Sequence, residues 1–198
     1  MRKLLFILAV LLPNELCGQL ALFTRMDNLY GHPHMISAKD MSVEFDREGR
    51  MIALDMNNLV VRVEWSEDYT EAKLFKGQFS SDAHPFFEYV YVEENSPERL
   101  TVYNGLLRSS YFFDSEGRLY KVDTEAIIDG GYLNHDIREF LYEGKSRIPK
   151  EMYLPLVNYK SPFKYELLDE HDNPLRYHLT MPDGNDSIMD RTITYYDL

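Results

Sequence analysis

The sequence predicts an all-β fold: consecutive antiparallel hairpins forming one twisted, curved sheet. Three observations carry that expectation. A turn phrase recurs along the chain, with acidic residues followed by Gly or Asn. The segments between turns alternate and are rich in Tyr, Phe, Val and Thr. Turn signals return at intervals of about 20 to 28 residues, as expected for a run of hairpins.

The first element stands apart from that sheet. Arg2 and Lys3 precede residues 4–12, every one of which is apolar. Nine residues fall far short of the roughly 20 that a membrane-spanning helix needs, and suit the apolar region of a secretory signal. Pro13 and Asn14 break the run, and Gly18 is the small residue before Gln19. Residues 1–18 are therefore expected to be a signal peptide, and 19–198 a single β-rich domain, secreted or periplasmic after cleavage. The alternative is a lipid anchor at Cys17. It is disfavoured because Leu16 stands where lipoprotein processing wants a small residue.

Two hairpins announce themselves most clearly. Val43-Glu44-Phe45-Asp46-Arg47-Glu48-Gly49-Arg50-Met51 and Tyr111-Phe112-Phe113-Asp114-Ser115-Glu116-Gly117-Arg118-Leu119 agree at Phe, Asp, Glu, Gly and Arg. Asp46 and Asp114 can bond backbone amides ahead of them, while Gly49 and Gly117 supply the positive φ of a tight return. Looser copies lie between and beyond. Val61 to Trp65 leads through Glu67-Asp68 to Lys73-Leu74, and Tyr89 to Asn95 leads to Arg99-Leu100-Thr101-Val102. A third copy starts its turn at Asp169, with Asp172-Asn173 in place of Gly. Asp183-Gly184 marks a further turn, and Thr192-Ile193-Thr194-Tyr195 alternates as a closing strand. Residues 134–144 are ambiguous. Asn134 could cap a short helix ended by Gly144, but a hairpin from Phe140-Leu141-Tyr142 to Arg147-Ile148 is preferred.

The phrase resembles the tyrosine-aspartate (YD, Rhs-type) repeats of bacterial Rhs-type proteins and animal teneurins, whose unit is aromatic-x-aromatic-Asp-x-x-Gly-Arg-Leu. Tyr111, Phe113, Asp114, Gly117, Arg118 and Leu119 carry the best match, followed by Phe45, Asp46, Gly49, Arg50 and Met51. Tyr165, Asp169, Asn173 and Leu175 follow, out of register by one. The chain is also similar to short secreted proteins of Gram-negative gut commensals. The resemblance touches about half of the mature chain. It implies a wrapped antiparallel sheet and carries no catalytic residues.

Charge narrows the partners. The chain holds 33 acidic and 21 basic residues, a net charge of −12. Cleavage before Gln19 leaves 32 acidic against 19 basic, a net charge of −13, and removes the only cysteine. Such a surface argues against nucleic acid, whose binding releases counterions to a basic face, and against anionic lipid. No disulfide can staple the mature domain, so the core must hold it.

Chemical motifs are sparse. There is no Gly-x-Ser-x-Gly elbow, dinucleotide fingerprint or phosphate loop. His32-Pro33-His34 lacks converging partners for zinc, so no metal or cofactor is expected. Asp183 to Ser187 starts like a calcium loop, then places Ile188 where Gly is needed. Asp186-Ser187-Ile188 is similar to an acceptor for O-linked glycans, in an expected exposed turn.

The aromatic load, 15 Tyr and 11 Phe beside one Trp, is the most unusual feature. Cross-strand rings stabilise antiparallel sheets by about 0.2–1 kcal/mol a pair. Planar rings also bind sugars and peptides, and Trp65, Tyr89, Tyr91, Tyr195 and Tyr196 are the candidates. The expected function is a non-catalytic envelope or secreted module binding a glycan or protein partner through an acidic, Tyr-rich surface. The alternatives are a polysaccharide hydrolase using two turn carboxylates and a periplasmic lipid carrier.

Overall fold

A computed structural model describes residues 29–56, 59–78, 86–104, 107–128 and 131–197. The expected signal peptide lies outside these residues. The chain forms fourteen strands: β1 (Pro33–Ala38), β2 (Met41–Phe45), β3 (Met51–Met56), β4 (Leu59–Trp65), β5 (Glu71–Gln78), β6 (Phe86–Asn95) and β7 (Arg99–Tyr103), then β8 (Leu107–Phe113), β9 (Leu119–Ile128), β10 (Gly131–Leu141), β11 (Glu151–Leu154), β12 (Tyr159–Leu168), β13 (Pro174–Thr180) and β14 (Asp186–Tyr195). The only helical turn among the described residues is a 3-10 turn at Pro155–Val157. No helix among them is long and apolar enough to cross a membrane.

The fold is all-β and antiparallel, but the sheet is closed rather than open. Each strand pairs with its sequence neighbours, and β14 returns to β1 to complete a barrel. Ile36 faces Ile193 across that seam, and Val43 on the other side. An even number of strands in a meander brings the first and last together antiparallel, so their unpaired edges can satisfy each other.

Closure needs curvature, and the repeated turns supply it. Asp46 Oδ1 accepts from the amides of Glu48 and Arg50 at 3.0 and 2.9 Å, and Oδ2 accepts from Arg50 Nε at 2.6 Å. Asp114 makes the same three bonds with Glu116 and Arg118, at 2.9, 2.9 and 2.8 Å. Gly49 and Gly117 close these turns at φ of +78° and +76°. Asp169 repeats the arrangement with His171 and Asn173, and here Asp172 takes the left-handed position at φ +65°. In the first two hairpins the register shifts once just beside the turn, so one residue is extra, and in the third two shifts flank Leu167, one extra residue on each strand. Such bulges increase local twist and bend the strand.

Residues 134–144 contain no helix. β10 pairs with β9 on one side and β11 on the other, which consumes the backbone groups a helix would need. The hairpin then closes later than expected, with Lys150 N donating to Leu141 O at 2.7 Å.

The core fills the inner face of β1 to β9. Phe45, Met51, Leu54, Leu74, Leu100 and Val102 are essentially solvent-free. Burying each such side chain contributes about 1.5–3 kcal/mol. The inner face of β12 to β14 differs: its positions are mostly half-buried, with Ser161 and Arg191 alone fully covered.

Candidate functional site

The five rings singled out from sequence do not share one face. Trp65 lies on the inner side of β4, half-buried against the core, and its Nε1 donates to Met51 O at 3.1 Å. Tyr91 points outward from β6, 39% exposed, opposite Tyr103. The side chain of Tyr89 lies outside the described residues. Tyr195 and Tyr196 sit at the barrel seam. Tyr196 OH donates to Phe45 O at 2.5 Å, and its ring tilts against His34 at 4.7 Å.

Tyr195 belongs to a buried polar knot. Its hydroxyl bonds Asp169 Oδ2, and Asn173 Nδ2 donates to the same hydroxyl at 2.8 Å. Asn173 also exchanges two bonds with the Tyr30 backbone, both 2.8 Å, tying the segment before β1 to the β12–β13 turn. Burial and the Asp169 contact push the Tyr195 hydroxyl up, well above the usual tyrosine range. Burial works against the Asp169 charge, but Tyr195 and the turn amides hold its carboxyl below the usual range. These groups are engaged with one another as a structural latch.

The turn carboxylates are similarly occupied. Asp46, Asp114 and Asp169 each spend both oxygens on their own turn. Ser187 is the second residue of β14, half-buried opposite Leu179, rather than part of an exposed turn. Asp183 stays in the exposed β13–β14 turn, where it accepts from Asn185, and Gly184 beside it lies at φ +78°.

Two clusters emerge that sequence reading did not assemble. The first is a bank of rings on the inner wall. Phe163 and Tyr165 stack at 5.6 Å with 12° between planes, and Tyr177 closes on them edge-on at 5.6 Å and tilted at 5.9 Å. The registers form two rungs, Tyr165–Tyr177–Met189 and Phe163–Leu179–Ser187. Met189 shares its face of β14 with Ile193, which packs against the core, so both rungs face inward. All six residues are nevertheless half-buried. Tyr165 is fixed by its hydroxyl, which donates to Pro149 O at 2.6 Å. Alternation of Phe163 with Tyr165 was visible in the sequence, and Tyr177 joins them in the register set beside the turn by Leu168 and Pro174, the two intervening shifts cancelling.

The second cluster lies on the outer face of β9 and β10. Asp123 and Glu125 are two apart on β9, and His135 is directly opposite Glu125. Their ligand atoms all lie within 4.8 Å of one another. Asp123 is gripped by His135 Nε2 at 2.5 Å and Lys121 Nζ at 2.8 Å. Burial disfavours its charge, yet those two neighbours hold its carboxyl below the usual range. The sequence carried only part of this signal: a two-residue turn at Asp129-Gly130 would place 125 opposite 134, and the register shift between Tyr132 and Asn134 brings His135 there instead.

No protein-family model matches this chain, and no curated protein matches it.

Proposed function

We propose that this protein is an exported, non-catalytic binding module that takes a neutral glycan on the ring-lined inner wall of β12 and β13. The observation that carries the reading is the bank of Phe163, Tyr165 and Tyr177: three rings packed together on a concave wall, yet none buried. On β1 to β9 the same face carries side chains that are almost wholly covered, among them Phe45, Met51, Leu74 and Leu100. Planar rings desolvate large area at little entropic cost, which is how sugar faces are held without charge.

Two further observations support it. The turn carboxylates, the acids from which a hydrolase could have been built, are committed to backbone amides. Outward positions carry charges, including Arg62, Glu64, Lys164 and Asp190, where a lipid-facing band would be apolar.

The test is retention on an array of neutral glycans. The intact protein is expected to be retained, and Tyr177→Ala and Phe163→Ala to weaken retention by about tenfold or more, roughly 1.4 kcal/mol each. Undiminished retention by both variants would remove the ring bank from the reading. Leu179 and Met189 on the same wall favour a second reading, a carrier of apolar molecules. Displacement of a fluorescent fatty acid, without glycan retention, would select it.

A further inference from the structure

We propose that Asp123, Glu125 and His135 form a divalent metal site of the zinc class on the outer face of β9 and β10. It is independent of the ring bank and uses none of its residues.

The strands bring the donors together. Residues two apart on a strand project from the same face, and the cross-strand partner projects beside them. Asp123 and Glu125 therefore stand side by side, with His135 opposite Glu125. Two carboxylates on one face repel unless something positive sits between them. Lys121 Nζ lies 2.8 Å from Asp123 and supplies part of that charge, and His135 Nε2 leans on the same carboxylate.

The donor set and spacing suit a transition metal. One imidazole with two carboxylates matches zinc or its neighbours better than calcium or magnesium, which take oxygens alone. A tetrahedral ion with bonds of about 2.0–2.2 Å holds its donors roughly 3.3–3.5 Å apart. The present donors span up to 4.8 Å, and His135 Nε2 is 2.5 Å from Asp123 Oδ1. Shifts of about 1 Å per donor would bring the set to that spacing. His135 is exposed, which leaves the fourth position to water. Lys121 beside Asp123 both orients the carboxylate and competes for it.

The experiment titrates chelator-stripped protein with zinc by calorimetry, following the His135 imidazole by nitrogen-edited NMR. One equivalent per chain is expected, with the His135 ring nitrogens shifting in step. His135→Ala and Glu125→Gln should each weaken binding by tenfold or more while circular dichroism stays unchanged. Lys121→Ala should tighten it, and His34→Ala, at the other histidine cluster, should leave it unaltered. Zinc uptake that survives both His135→Ala and Glu125→Gln would overturn the proposal, as would the absence of a one-to-one event.

Discussion

Glycine positions show how one residue type carries different costs in the same fold. Gly117 lies at φ +76°, and a Cβ there would meet no atom within 4 Å. Its replacement by Ala is therefore penalised by backbone conformation alone, about 1 kcal/mol. Gly31 lies at φ +80°, but its Cβ would come within 2.9 Å of the Tyr195 ring and 3.0 Å of His171. Both rings are held, Tyr195 by Asp169 and Asn173 and His171 by packing on Tyr195 at 4.4 Å. Overpacking typically adds about 1–3 kcal/mol. Urea midpoints should rank Gly31→Ala as clearly more destabilising than Gly117→Ala. Equal effects would mean that the segment before β1 does not pack against the seam as described.

At the level of the element, the five-residue turn is a small electrostatic device. The Asp accepts two amides, and the residue four positions on reaches back to its second oxygen. That same residue then grips a neighbouring segment. Arg118 Nη1 donates to Gly144 O and Ser146 O at 2.9 and 3.0 Å, and Arg50 lies 3.7 Å over the Tyr69 ring. Asn173 fills the corresponding place in the third copy and grips Tyr30.

Burial opposes ionisation of Asp114, but the Arg118 amide and guanidinium and the Glu116 amide outweigh it and hold the carboxyl below the usual range. The folded pKa is thus lower than the unfolded value of about 4. The stability it contributes is present above that value and is lost as pH falls through the depressed folded pKa. Asp114→Asn should be less stable than the parent at pH 7, and its stability should fall less steeply below about pH 4. Denaturant melts at both pH values test this, and an unchanged acid-side slope would sink it.

For the whole molecule, the seam between β1 and β14 is where the barrel closes. A closed barrel has no free edges, so whatever holds β1 to β14 protects every other strand from pairing with another chain. Asn173, fully buried, makes four hydrogen bonds there, to Tyr30, Asp169 and Tyr195. Removing them from a buried place should cost about 2–4 kcal/mol. Asn173→Ala is expected to melt early and to form dimers or larger species by light scattering, while Ser115→Ala at an exposed turn behaves as the parent. A monodisperse Asn173→Ala variant of parental stability would show that closure does not depend on the latch.

Most of the local architecture was legible in the sequence because its causes are local. Asp46 and Asp114 act on amides two and four residues ahead, and alternation within a strand concerns nearest neighbours. Those rules suffice for the hairpins and for an all-β, antiparallel chain. They also reached the third turn at Asp169, where Asp172 in place of Gly adopts the left-handed conformation; that Asn173 there grips Tyr30 was not legible. Closure itself was not legible, because Met35 and Thr194 meet across 159 positions and no local signal encodes that pairing. Nor could the faces be assigned. Each bulge shifts a strand by one residue, and a one-residue shift moves a side chain from the wall to the solvent. That is why His135 stands opposite Glu125: the shift between Tyr132 and Asn134 moves it there from the register the turn alone would set. Sequence determined which residues turn and which extend; the registers summed around the closed barrel decided which side chains meet.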